Sequence, residues 1–221
     1  MSIQSYLQPW QGEAVRHIPK AQYDIYDFSY AGRSAENRWN QQGEPTLYLA
    51  KGKNVALAEY ARHFQVDRSL KLAQQIQERD LYRFDVRLER VVNLCDVDVW
   101  QELSLTNAPD CFKNRDVARA CANFIRYTTP ATAVFVPSMA FLDNLEQWCL
   151  VLFLEKLPTD VREFLPNVTI DGTFRIEWTC LTFLIRLLFW LGYFNIDADN
   201  YVVEITIATP IHILDTKGIV A

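Results

Sequence analysis

"RWNQQGEPTLYLAKGKNVALAE", residues 38–59, is the stretch whose reading decides this chain. Arg38 and Trp39 stand side by side, a Gly43-Glu44-Pro45 turn follows, and the apolar run "TLYLA" carries Tyr48 at its centre. The Gly-Pro turn before the run, and Lys51-Gly52-Lys53 after it, mark a short buried strand. Asn54 is placed to cap a helix through "VALAEYARHF". Glu59 sits in that helix among Val55, Leu57, Ala58 and Ala61, where a carboxylate is rarely buried without a partner. The bland alternative puts Glu59 on the solvated side of its helix.

Outward from this stretch the pattern is mixed. "LYRFDVRLERVVNLCDV" alternates apolar and polar residues and predicts one or two strands. "RDVARACANFIRYTT" is the clearest helix, with Val117, Ala120, Cys121, Phe124 and Ile125 as its apolar stripe and Pro130 ending it. "ATAVFVPS" and "CLVLFLEKL" are buried strands, and "NVTIDGTFRIE" is a hairpin turning at Asp171-Gly172. The first thirty residues are aromatic-rich and give no clear assignment. The fold class is α+β, a compact mixed sheet with flanking helices.

Bulk properties narrow the function. With 221 residues, half of them apolar, the chain holds one sizeable core or two small ones. A net charge of -5 with no basic stripe argues against direct nucleic-acid binding, but leaves room for a few arginines around a small anion. The five cysteines are scattered, with no C-x-x-C pair, and read as thiols in a reducing compartment rather than a zinc site or disulfide frame. The N-terminal residues lack a secretory pattern, so the cytoplasm is the expected location.

Four positions could carry chemistry: Arg38, Tyr48, Glu59 and Ser138, the last closing "VFVPS". A guanidinium can clamp a diphosphate, and a tyrosine ring can stack on a nicotinamide or adenine. A carboxylate near an anomeric carbon stabilises an oxocarbenium-like transition state or positions a nucleophile. Each also has an ordinary reading. Arg38 and Trp39 could be a cation–π pair on a loop, Tyr48 a core residue, Ser138 a turn residue.

Taken together, the ordered set resembles the signature of the RES domain family: "RWN", a glycine, a strand with tyrosine, a helix with glutamate, and a later "VFVPS". Arg16 in "AVRHI" is similar to the family's N-terminal arginine, and the resemblance runs over roughly residues 13–176. It implies a fold similar to ADP-ribosyltransferase toxins and a metal-free cleavage of NAD+, its substrate, at the nicotinamide–ribose bond by water or phosphate. It further implies a toxin held inactive by an Xre-type antitoxin. Arg38, with Arg16, would hold phosphate, and Tyr48 would pack on the nicotinamide end. Glu59 would stabilise the ribosyl cation or orient the nucleophile, and Ser138 would assist. An ADP-ribosyltransferase-like enzyme and a catalytically idle binding module are the competing readings.

Residues 177–221 have no counterpart in that family and form a separate hydrophobic extension beside the 1–176 unit. Residues 178–196 reach the length that crosses a bilayer, but Arg186 near their middle costs about 2.5 to 3.5 kcal/mol on insertion scales. A buried or partner-facing helix is favoured over membrane contact.

Overall fold

The computed structural model describes residues 2–20, 24–35, 37–66 and 78–174. The expectations for residues 177–221, including the apolar run 178–196 and Cys180, lie outside them.

The described residues form six strands and three α-helices. They are β1 (Gln8–Pro19), β2 (Thr46–Ala50), α1 (Lys53–Val66), β3 (Arg79–Asn93), α2 (Val97–Glu102), α3 (Arg115–Thr128), β4 (Ala133–Pro137), β5 (Trp148–Phe153) and β6 (Asn167–Phe174). The strands follow the order β1-β2-β5-β4-β3-β6, and β1 also pairs with β3. That additional pairing closes five strands into a barrel and removes their free edges. β3 is long enough to serve several partners. Its residues 79–85 pair with β6 and residues 91–93 run parallel to β4, while β1 lies along the other edge.

Alternation along each strand separates an interior from an exterior. Leu47 and Leu49 of β2, Leu150 and Leu152 of β5, Ala133 and Phe135 of β4, and Phe84, Val86 and Leu88 of β3 fill the inside. The opposite faces of the same strands are also covered. Val134, Val136, Val151 and Phe153 pack under α3 with Trp39 and Phe112. Val15, Ala50 and Leu81 pack under α1 through Val55, Ala56 and Leu57. β2 and β5 therefore read as continuous apolar runs because both their faces are buried.

Three local expectations differ from the structure. Residues 167–174 form one strand on β3, not a hairpin; Gly172, at φ 132, sits where the β3–β6 register shifts, so the glycine makes a bulge instead of a turn. α1 begins at Lys53, which places Asn54 inside the helix. The buried stripe of α3 is Ala118, Cys121, Ala122, Ile125 and Arg126, with Phe124 exposed. Arg126 turns the helix this way.

Its guanidinium is 1% exposed, with Nη1 donating to Glu44 Oε2 at 2.7 Å and Nη2 to Thr46 Oγ1 at 2.7 Å. It lies over the Phe153 ring at 4.3 Å, and its Nε faces Glu155 Oε1 at 3.1 Å as an ion pair without a hydrogen bond. Removing one member of a buried pair strands the other, at a cost of about 3 to 5 kcal/mol. Arg126→Ala is expected to lower the urea unfolding free energy by that amount. A loss below about 1 kcal/mol would show that Glu44 finds water or another cation as easily.

Candidate active site

Glu59 and Ser138 come from distant parts of the chain and meet on the outside of the barrel. α1 carries the carboxylate, and the chain leaving β4 carries the hydroxyl. Ser138, fully buried, donates its Oγ–H to Glu59 Oε1 at 2.6 Å, and the Ala140 amide donates to the same oxygen at 3.0 Å. Oε2 has no hydrogen-bond partner among the described residues. One oxygen is thus fixed by two donors and the other is left for whatever occupies the site. Burial, with Glu59 as the next largest cause, pushes the thiol of neighbouring Cys149 well above its usual range, so Cys149 is a neutral thiol and no rival nucleophile.

Arg38 is tied down at a different point. Its Nη1 donates to the carbonyls of Phe112 at 2.8 Å and Lys113 at 2.9 Å, just before α3. Trp39, beside it, packs edge-on against Phe112 with centroids 5.0 Å apart. Burial lowers the proton affinity of Arg38, and the charges of Arg62 and then Arg115 lower it further; Glu59 opposes them, and Arg119 adds a smaller effect. Arg38 therefore feels Glu59 and three other guanidinium groups at once. Arg119 secures the same loop, donating Nε to the Asn37 carbonyl at 2.9 Å and Nη2 to the Ala35 and Asn37 carbonyls.

Tyr48 is committed to the loop. Its hydroxyl donates to Asn40 Oδ1 at 2.7 Å and accepts from the Trp39 amide at 3.1 Å. Burial raises its pKa, so the phenol stays protonated. The structure gives the hydroxyl the work of holding Trp39 and Asn40 in register. Arg16 has other neighbours: its guanidinium lies 5.8 Å from the Phe28 ring, and burial with the like charge of Arg79 brings its pKa down to about 10.

Glu59 and Ser138 are thus in contact, Arg38 feels the Glu59 charge, Tyr48 is joined to Arg38 through the Trp39 backbone, and Arg16 shows no contact with any of them among the described residues. Sequence reasoning missed Arg62, Arg115, Arg119 and the Ala140 amide. Arg62, three residues after Glu59 on one helix, was legible from spacing. Arg119 was not, since its partners lie more than eighty residues away. Two cavities lie elsewhere, one of about 360 Å³ near Trp10, Phe135 and Trp148, the other of about 620 Å³ near Leu103, Cys121 and Phe124. Neither is lined by Arg38, Tyr48, Glu59 or Ser138.

The family model described as the RES domain matches residues 14–178. The chain belongs to the RES domain family. Among solved structures, a chain of the M. tuberculosis MbcT–MbcA toxin–antitoxin complex has a TM-score of 0.58 at 17% identity, over 84% of this chain and 94% of that one. At that identity the likeness carries the RES fold alone. No curated protein matches the chain. Among the described residues no group of His, Cys, Asp and Glu is placed to hold a metal, and no helix is long and apolar enough to cross a membrane.

Tyr48→Phe separates the two roles of the phenol. Losing the hydroxyl leaves the Trp39 amide and Asn40 Oδ1 short of a partner, so thermal or urea unfolding is expected to show a loss of about 1 to 3 kcal/mol. Unchanged stability would mean that the hydroxyl serves a ligand and not the loop.

Proposed function

We propose that this RES-domain protein cleaves the nicotinamide–ribose bond of NAD+ and serves as the toxin of a toxin–antitoxin pair. The observation that carries the reading is the half-anchored carboxylate: Glu59 Oε1 is held by Ser138 and Ala140, while Arg38 acts on the same group. In oxidised NAD+ the nicotinamide nitrogen is cationic, so the ring departs as a neutral molecule with the electron pair of the C1′–N1 bond. What the protein must supply is orientation and charge. The clustered guanidinium groups take the diphosphate and fix the ribose in place. Glu59 Oε2 then faces the positive charge developing at C1′, or accepts a proton from the incoming water. Water delivers its oxygen to C1′ and releases that proton, giving ADP-ribose. With phosphate as nucleophile the same displacement gives a phosphorylated ADP-ribose.

In this reading Ser138 is a positioning residue, since its hydroxyl is spent on Glu59. Tyr48 contributes by setting the Arg38–Asn40 backbone, and the site works without a metal. The 1–176 unit is the catalytic part, a relative of the ADP-ribosyltransferase toxin fold acting in the cytoplasm. A protein antitoxin, of the Xre type in the family pattern, is the partner. Membership of the family and the fold shared with a chain of a toxin–antitoxin complex support the toxin role.

The test is incubation of the purified protein with NAD+, with and without phosphate, following free nicotinamide. Wild type is expected to release it, with Glu59→Gln and Arg38→Ala each slower by about a hundredfold or more. Release at the wild-type rate by both variants would remove these residues from the chemistry.

A further inference from the structure

Arg38, on the loop before β2, feels cationic groups from two other elements: Arg62 on α1, and Arg115 and Arg119 on the first turns of α3. Their circumstances differ. Arg38 and Arg119 each give guanidinium N–H groups to backbone carbonyls. Arg62 makes no hydrogen bond or ion pair among the described residues, although it is only partly exposed. Of the neighbouring charges it is the one that acts most strongly on Arg38. Two guanidinium groups that act on each other in this way repel unless an anion lies between them. Arg62 also stands three residues past Glu59, one helical turn away on the same face of α1. A cation so placed sits at a fixed offset from the carboxylate, on the same rigid element.

We propose that Arg62 is a specificity-determining residue that, paired with Arg38, selects a substrate carrying two adjacent phosphates. The inference rests on the glycosidic cleavage proposed above. One phosphate meets Arg38 and the other meets Arg62, so the diphosphate replaces like-charge repulsion with two charge-assisted contacts. A substrate with one phosphate satisfies only one of the two, and a nucleoside neither. Arg62 forms no bond to the reacting atoms; it sets where the ribose lies relative to Glu59.

The experiment compares wild type, Arg62→Ala and Arg62→Lys on NAD+, nicotinamide mononucleotide and nicotinamide riboside, which carry two, one and no phosphates. Binding of ADP-ribose and of AMP is measured by calorimetry alongside. Arg62→Ala is expected to raise KM for NAD+ about tenfold or more while kcat moves less than about threefold. The preference for NAD+ over nicotinamide riboside narrows by a similar factor, ADP-ribose affinity falls in parallel, and Arg62→Lys restores part of each. An unchanged KM and unchanged ADP-ribose affinity in Arg62→Ala would overturn the assignment. Equal losses on all three substrates would do the same. If wild type released no nicotinamide while ADP-ribose binding still depended on Arg62, the clamp would stand and the cleavage reading would fall.

Discussion

Arg119 and Arg126 stand seven residues apart on α3, two helical turns along one side, and together they pin the segment from Ala35 to Thr46 at both ends. Everything else in the candidate site depends on that clamp. Residues 37–45 form no helix or strand to fix their own backbone, so their carbonyls must find donors elsewhere. α3 supplies them from guanidinium forks, which reach two acceptors at once. Glu44 adds a second layer, accepting from Arg126, the Gln41 amide at 2.6 Å and the Tyr127 hydroxyl at 2.6 Å. With both ends held, Arg38 and Tyr48 have little freedom of position. A connection that could have been a mobile loop becomes part of the packed structure.

The barrel explains why the site lies outside it. Its interior is filled by apolar side chains from β2, β3, β4 and β5. The candidate site lies on the outer faces, where α1 and α3 pack against the same sheet. Glu59 and Ser138 mark where α1 meets the end of β4, and Arg38 marks where the loop meets α3. The buried Ser138 hydroxyl has one good acceptor within reach, and that acceptor is a carboxylate. Such a bond is strong, and its loss would leave a buried polar group unpaired. The serine keeps the carboxylate from turning away toward the solvent.

Much of this was legible in the sequence, in proportion to how local the cause was. Strand β2 declared itself through Pro45, Gly52 and an apolar run buried on both sides, and Glu59 stood out because a carboxylate in apolar surroundings implies a partner. The partner's identity was a different matter, since Ser138 is 79 residues away and nothing in "VFVPS" states where its hydroxyl points. Gly172 misled because a glycine beside an aspartate serves a bulge as readily as a turn, and only the presence of β3 as a neighbour decides between them. The face of α3 was misjudged for an electrostatic reason. The apolar stripe of the sequence takes in Phe124 and leaves out Arg126, since an arginine normally faces solvent, whereas Glu44, far away in sequence, reverses the preference.

The charge layout of the site follows from the same division between local and distant causes. Arg38, Arg115 and Arg119 reach the site from the loop and α3, and their relation to Glu59 depends on how α3 packs on the barrel. Arg62 shares a helix with Glu59, and their separation depends only on helical geometry. A site assembled this way tolerates small shifts of the loop without losing the spacing between Glu59 and Arg62. Like charges also repel in this cluster, and among the described residues Glu59 is the opposing charge that acts on Arg38. Functional sites commonly hold such unfavourable arrangements in place through the surrounding structure. Here that support is visible, in the carbonyl bonds of Arg38 and Arg119 and in the buried pair of Arg126 with Glu44. The repulsion they restrain is the quantity a bound anion would relieve.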